Sequence, residues 1–286
     1  MSYTFYENQK ECATEILEKF KAQSYVILCA QMQSGKTGTY LYAALSMIYH
    51  KIIDNIIIVS GVSDKNLREQ CMNDKDNAFD SFFEDKVMTG GEVRRIEKSI
   101  HVLFSQDLSK MNEISENTLV IWDESHYAQN QSNRPNKWFD TIGLEDVLNG
   151  KNLGRLKSKK IFVLSVSATP FSETIDNEKS ADKKECVFLK PASYYRGLGK
   201  FIENQKVKEA VKIDSKNKNK VKEIFEEFVD SNKYLIVRVH TANYILDEII
   251  TELNFGRVSY DMNSKFDLNK DFLSKCPEKT TVILIK

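Results

Sequence analysis

Short runs of β-branched and other apolar residues alternate along the first part of the chain with stretches whose apolar positions recur every three or four residues. The runs carry apolar residues on both faces, which predicts buried parallel strands. The intervening stretches predict amphipathic helices, and strands separated by helices are typical of a parallel sheet. The predicted strands are Tyr25–Cys29, Asn55–Ser60, Ile100–Phe104, Thr118–Trp122 and Lys160–Ser165, and the predicted helices are Gln9–Lys21, Thr37–Tyr49 and Asp64–Cys71.

A second region of the same kind follows a polar, charged stretch at residues 173–190, which predicts a loop or an extended connection. We expect a first domain over residues 1–195 and a second over 205–286. A predicted buried strand lies at the very end of the sequence, which favours an incomplete second domain over a small complete α/β appendage. The elements predicted there are helices at Asn219–Asp230 and Ala242–Leu253 and strands at Tyr234–Val239 and Thr281–Ile285.

Charge and cysteine content narrow the class of protein. The 286 residues carry 41 basic and 41 acidic side chains, so a nucleic acid would have to be bound by local patches rather than by net charge. The five cysteines show no metal-ligand spacing. The sequence shows neither a signal peptide nor an apolar run long enough for a membrane span. We therefore expect a cytoplasmic protein.

The strongest local motif is the segment Ala30–Thr37, AQMQSGKT, between a predicted strand and a predicted helix. A P-loop has this setting, because its backbone N–H groups and the helix N-terminus bind phosphates. In such a loop Lys36 contacts the β- and γ-phosphates, Thr37 offers its hydroxyl to Mg²⁺, and Gly35 allows close approach of the backbone. The sequence therefore predicts binding of ATP with Mg²⁺.

Two adjacent carboxylates follow the predicted strand Thr118–Trp122. The carboxyl end of a buried parallel strand is where α/β sheets bind ligands. At this position Asp123 would hold Mg²⁺ and Glu124 would accept a proton from the attacking water or orient it. A helix N-cap or a solvated turn is the alternative when this pair is considered without the loop upstream.

Three motifs together resemble those of a superfamily 2 helicase or translocase of the DEAD/DExH type. Ala30–Thr37 is similar to motif I, Asp123–His126 (DESH) to motif II, and Ser167–Pro170 (SATP) to motif III, in the family's order. The resemblance covers about residues 1–172. It implies an α/β P-loop NTPase with a RecA-like parallel sheet and helices on both faces, followed by a partial second RecA-like lobe.

The resemblance also implies roles for residues outside the two carboxylates and the lysine. Gln9 would bind adenine, with Phe5 or Tyr6 beside it, and His126 would lie between the γ-phosphate and motif III. Ser167 and Thr169 would couple the ATP state to the grip on nucleic acid; the alternative is that they cap the turn before Pro170. The nucleotide-binding residues by this resemblance are Gln9, Gln33, Ser34, Gly35, Lys36 and Thr37.

Two departures from the family pattern are present. Gln33 replaces the middle glycine of motif I, which predicts a backbone with less freedom. No arginine-rich motif VI and no motif V follow residue 240, so the resemblance implies a C-terminal remainder or a partner that supplies them. Without the arginine of motif VI, the resemblance leaves open whether the chain hydrolyses ATP by itself.

The sequence leaves three functions open. The first is an ATP-dependent nucleic-acid motor, a helicase or translocase, with DNA favoured over RNA as its partner. The second is the motor subunit of a restriction or defence nuclease. The third is a non-motor ATP-binding module that acts as a switch.

Overall fold

The computed structural model describes residues 3–60, 65–104, 106–125, 134–147, 151–170, 184–204, 211–239, 243–261, 264 and 269–285. The chain divides into two compact units, Met1–Phe201 and Ile202–Lys286. Each unit contains one parallel sheet.

Six strands form the sheet of the first unit. They are β1 Tyr25–Cys29, β2 Asn55–Ser60, β3 Ile100–Phe104, β4 Thr118–Asp123, β5 Ile161–Ser167 and β6 Glu185–Phe188. The order across the sheet is β3-β2-β4-β5-β1-β6, and every pairing is parallel. The carboxyl ends of β1 and β4 therefore lie at the same edge of the sheet, on either side of β5.

Helices cover both faces of this sheet. One core cluster joins three helices, Glu7–Ala22 (α1), Lys36–Tyr49 (α2) and Lys65–Phe83 (α3), to one face and contains Ile16, Met47 and Phe82. The other joins Arg134–Thr141 (α5) and Gly154–Ser158 (α6) to the opposite face and contains Phe139 and Leu156. The predicted α/β architecture of a P-loop NTPase is confirmed. The described helices of this part are α1 Glu7–Ala22, α2 Lys36–Tyr49, α3 Lys65–Phe83, α4 Gly90–Lys98, α5 Arg134–Thr141, α6 Gly154–Ser158 and, across the unit boundary, α7 Leu198–Glu203.

Two elements differ from the sequence prediction. The helix expected to end at Cys71 continues as α3 to Phe83, because Phe79 and Phe82 of its second half are buried in the core. The stretch at residues 173–190, expected to be a loop or an extended connection, contains β6, which pairs with the edge of β1. Residues 171–183 lie outside the described part of the chain.

The second unit has a three-stranded parallel sheet in the order β7-β9-β8. Its core packs Phe225 and Ile249 of two helices against Val282 and Leu284 of the central strand. Its assignment as a second RecA-like lobe stays a prediction. The elements are α8 Lys218–Glu226, β7 Tyr234–Arg238, α9 Tyr244–Glu252, β8 Gly256–Tyr260 and β9 Thr281–Ile285.

The sequence did not predict β8, but it located the other two strands to within one residue. Lys218 on α8 contacts Glu248 and Glu252 on α9, each at 2.8 Å, which adds a polar link between the two helices at the surface. Within the described residues, no helix is both long and apolar enough to cross a membrane.

Candidate active site

A tight loop joins β1 to α2 at the carboxyl edge of the sheet. Ser34 donates hydrogen bonds from its hydroxyl and its backbone N–H to the carbonyl of Gln31, at 2.7 and 3.2 Å. Gly35 then caps α2, a helix of 14 residues. The unpaired N–H groups and positive dipole end of such a helix favour an anionic group at this point.

Two residues of this loop have left-handed backbone conformations. Gly35 has φ +101° and Gln33 has φ +57°. Glycine adopts such angles freely, whereas a residue with a Cβ loses about 1–2 kcal/mol. Gln33 therefore has a backbone conformation that favours the glycine which motif I has at this position. This conformation explains why the backbone of the loop is expected to have less freedom with Gln33.

The side chain of Lys36 connects the loop to the end of β4. Its Nζ lies 2.5 Å from Oε1 of Glu124, although 88 residues separate the two in sequence. Only 12% of the Lys36 side chain and 31% of the Glu124 side chain are exposed. The ordering of β1 and β4 beside β5 thus brings the predicted phosphate-binding lysine and the predicted catalytic carboxylate to one point.

The chain turns sharply as it leaves β4. Glu124 has φ +53°, and its backbone N–H donates to Oδ1 of Asp123 at 3.0 Å. Non-glycine residues in this conformation are uncommon and concentrate at functional sites. The turn gives the two adjacent carboxylates different partners, since Glu124 contacts Lys36 and Asp123 contacts Tyr40.

Tyr40 places a hydroxyl between the two predicted magnesium ligands. Its Oη lies 3.5 Å from Oδ2 of Asp123 and also makes a hydrogen bond with Thr37. Burial raises the pKa of Asp123 to about 6, while the ammonium of Lys36 opposes the rise. Tyr40 is not among the site residues predicted from the sequence, although its position three residues after Thr37, on the same side of a helix, was an available signal.

Gln9 is buried against the loop. Its Oε1 accepts from the backbone N–H of Tyr6 at 2.8 Å, and its Nε2 donates to the carbonyl of Gly35 at 3.1 Å. Of the two aromatic residues expected beside it, Phe5 packs in the core against Tyr42, whereas Tyr6 is exposed. The Gln9 amide therefore joins the start of α1 to the cap of α2.

The contact between Gln9 and α2 predicts a stability effect at Gly38. A Cβ at this position would lie 2.8 Å from Cδ of Gln9. Alanine normally stabilises a helix interior, but here we expect Gly38→Ala to lower the free energy of unfolding by roughly 1–3 kcal/mol, because the side chain of Gln9 must move. Urea denaturation measures the change.

Two variants serve as controls for this prediction. Gly90→Ala on α4 meets nothing within 4 Å, so we expect no loss of stability there. In a Gln9→Ala background, Gly38→Ala should cost clearly less than in the wild type, because the obstructing side chain is gone. A Gly38→Ala protein as stable as the wild type would show that Gln9 does not pack at this position.

Motif III lies where β5 ends, next to the loop. The carbonyl of Ser167 accepts from the backbone N–H of Ala30 at 3.1 Å, and the hydroxyl of Ser167 accepts from the backbone N–H of Thr169 at 3.0 Å. The bond between Ser167 and Thr169 closes a turn before Pro170, as the alternative role of these residues predicts. The bond between Ala30 and Ser167 connects motif III to the loop. His126 lies outside the described residues.

A comparison with family models gives one match over most of this unit. The model described as type III restriction enzyme, res subunit, matches residues 2–172. An uncharacterized protein of Acanthamoeba polyphaga mimivirus is 26% identical over 308 residues, which cover 100% of this chain and 73% of that protein.

Solved structures of helicases share the fold. The DUF1998 helicase MrfA bound to DNA is similar with a TM-score of 0.55 at 13% identity, over 98% of this chain and 42% of MrfA. The DEAH/RHA helicase HrpB of Escherichia coli is similar with a TM-score of 0.53 at 12% identity, over 96% of this chain and 34% of HrpB. The chain thus spans less than half the length of either helicase.

Proposed function

Because this chain belongs to the family described as type III restriction enzyme, res subunit, we propose that it is an ATP-dependent nucleic-acid motor, a helicase or translocase. The predicted relationship to the superfamily 2 helicases is confirmed by the family match and by the fold it shares with MrfA and HrpB. Hydrolysis of ATP and the choice of nucleic acid are the parts of this function that we propose.

The observation that carries the proposal is the contact between Lys36 and Glu124. It supports a single site in which the loop holds the phosphates and the end of β4 acts on the γ-phosphate. The backbone N–H groups of Gln33 and Gly35 and the ammonium of Lys36 would bind the phosphates, and so would the N–H of Ser34 once the nucleotide displaces its bond to the carbonyl of Gln31. An anionic nucleotide competes with Glu124 for that ammonium, so its entry would free the Glu124 carboxylate.

Thr37 and Asp123 are the side chains that would hold Mg²⁺. A hydroxyl and a carboxylate form the oxygen donor set that this ion takes, and the hydroxyl of Tyr40 contacts both residues. Burial disfavours the negative charge of Asp123, and a cation beside it would favour the ionised form. When bound, Mg²⁺ neutralises charge that develops on the phosphates.

Glu124, once released from Lys36, would orient the attacking water and accept its proton. Ser167 and Thr169 would transmit the state of the site, and the bond between Ser167 and Ala30 supports this role because it joins motif III to the loop. We propose that His126 lies beside the γ-phosphate, and this proposal rests on the resemblance to motif II alone.

DNA is the nucleic acid that we propose, because MrfA is described as bound to DNA. Grip on the sugar-phosphate backbone requires no sequence-specific contacts. We expect phosphate release from Mg–ATP to rise several-fold with single- or double-stranded DNA and less with RNA. The assay compares single- and double-stranded DNA with single- and double-stranded RNA at low salt, because contacts with the backbone weaken as salt rises.

Glu124→Gln is the blank in this assay, because it removes the proposed base. Equal turnover with and without every polymer would contradict the motor, although not the nucleotide site. Binding of Mg–ATP without any turnover would favour the ATP-binding switch, or a motor completed by a remainder or partner that supplies motifs V and VI.

The description of the matched family favours a narrower second candidate, the motor subunit of a restriction or defence nuclease. Such a subunit would move along duplex DNA without cutting it. Displacement of a DNA triplex by the chain and ATP, with a plasmid left intact, would support it. Cleavage of the plasmid by this chain alone would contradict a division between motor and nuclease.

A further inference from the structure

A buried hydroxyl group lies next to the two side chains proposed to hold Mg²⁺. Tyr40 follows Thr37 by three residues on α2, and only 1% of it is exposed. Its side chain belongs to the core cluster that joins α1, α2 and α3 to the sheet. Because the ring is packed on all sides, it holds the hydroxyl at a fixed place beside the site.

The hydrogen bonds of this hydroxyl have one direction. Oη of Tyr40 lies 3.5 Å from Oδ2 of Asp123, a long hydrogen bond, and it also bonds with the side chain of Thr37. Burial raises the pKa of Tyr40 well above its ordinary value, so the hydroxyl keeps its single proton. An ionised carboxylate can only accept hydrogen bonds. Tyr40 therefore donates to Asp123 and accepts from Thr37.

This direction leaves the oxygen of Thr37 available to a cation. A threonine hydroxyl rotates to suit its partners, and here its proton points to Oη of Tyr40. A hydroxyl coordinates a cation through a lone pair of its oxygen, and a proton aimed at the cation would oppose that contact. Tyr40 thus fixes the rotation of the Thr37 hydroxyl that a metal ligand needs.

The carboxylate of Asp123 is held by two donors. The backbone N–H of Glu124 donates to Oδ1 at 3.0 Å, and the hydroxyl of Tyr40 lies at Oδ2. Each carboxylate oxygen has two lone pairs, so both oxygens keep capacity for a cation or for the water around it. Because both oxygens are held, the plane of the carboxylate is set. The same tyrosine therefore orients both proposed ligands.

We infer that Tyr40 is a positioning residue for the metal that accompanies the nucleotide, and that it favours Mg²⁺ over the larger Ca²⁺. This inference rests on the proposed ATP site, with Thr37 and Asp123 as the ligands. Mg²⁺ demands near-ideal octahedral geometry, whereas Ca²⁺ accepts a more irregular set of oxygen ligands. Two ligands held in one orientation suit the smaller ion, and two looser ligands discriminate less.

Replacing Tyr40 by phenylalanine tests this, because the ring stays in the core and only the hydroxyl is lost. Calorimetric titration of the full chain uses an ATP analogue with a non-hydrolysable imido bridge between the β- and γ-phosphates. The analogue is offered as its magnesium complex, as its calcium complex, and without metal in EDTA. The magnesium complex should bind the variant roughly 10- to 100-fold more weakly, the usual cost of removing a partner of a metal ligand. The calcium complex should lose less, and the metal-free analogue should bind as it binds the wild type.

Two controls separate the hydroxyl from the fold. Tyr42→Phe removes another hydroxyl from α2, where the ring packs against Phe5 and Phe82, and should change none of the three affinities. In a Thr37→Ala background, Tyr40→Phe should cost less than in the wild type, because one of the two ligands that it positions is gone. Thermal unfolding checks that each variant remains folded.

The outcomes separate this inference from the function on which it rests. A folded Tyr40→Phe protein that binds the magnesium complex like the wild type overturns the positioning role, and so does an equal loss for the metal-free analogue. Equal affinity of the wild type for the magnesium and calcium complexes overturns the selectivity without any variant. Equal affinity of the wild type for the magnesium complex and the metal-free analogue overturns the proposed metal site, and this inference with it.

Discussion

Replacing Glu124 by glutamine is expected to lower the turnover number for ATP hydrolysis by roughly 10²- to 10⁴-fold, the contribution of a positioned general base. Glutamine keeps the shape of the side chain but cannot accept a proton from water. The affinity for Mg–ATP should be retained or should increase, because the ammonium of Lys36 loses its carboxylate partner and is free for the phosphates.

The measurement is phosphate release at saturating Mg–ATP and DNA, together with the dissociation constant for Mg–ATP. Glu185→Gln is the matched control. Glu185 pairs with Lys19 at 2.9 Å, so this change also removes a lysine–glutamate pair but leaves the candidate site unaltered. It should leave turnover unchanged. Normal turnover by Glu124→Gln would mean that another group activates the water.

Replacing Lys36 by alanine is expected to weaken binding of Mg–ATP by about tenfold to a hundredfold. The reason is the loss of charge-assisted hydrogen bonds to the phosphates, each worth about 1.5–3 kcal/mol. The effect should extend to magnesium tripolyphosphate, since the lysine acts on the phosphates and not on the base. Calorimetric titration with both ligands measures it.

Lys19→Ala is the control for this variant, because Lys19 is also paired with a glutamate but lies on α1. Lys36 lowers the pKa of Asp123 against the effect of burial, so its removal shifts that pKa further upward. Thermal unfolding checks that the variant remains folded. Affinity close to the wild type in a folded Lys36→Ala protein would contradict the P-loop assignment.

The two variants test different parts of the proposed site: Lys36→Ala tests nucleotide binding, and Glu124→Gln tests the hydrolysis step. Lys36 is the first residue of α2, directly after the loop, whereas Glu124 belongs to the turn after β4, and their contact joins the two parts of the site. In the proposed function, exchange of this ion pair for contacts with phosphate would couple nucleotide binding to the release of Glu124 from Lys36. Breaking the pair would then lower the apparent affinity for nucleotide, and Glu124→Gln should regain that affinity.

The strand and motif positions were accessible from the sequence because their signals are local. The boundaries of β1, β2, β3 and β9 agree with the predictions, since a short run rich in β-branched and other apolar residues indicates a strand. Burial on both faces holds for the inner strand β1 but not for the edge strand β3, where His101 is exposed. The loop before Lys36 and the carboxylates after β4 follow from their positions between elements. The α/β fold and the superfamily 2 resemblance rest on these features and on the SATP motif after β5.

The tertiary structure decided the features that depend on distant parts of the chain. The strand β6 is short and lies in a polar stretch, and only its pairing with β1 makes it a strand. The contacts of Tyr40 with Asp123, of Gln9 with Gly35, and of Tyr195 with Met32 each join elements that the fold brings together. Local propensity and residue spacing do not predict such contacts. Bringing these residues together costs chain entropy, and only the packing of the whole sheet compensates for that cost.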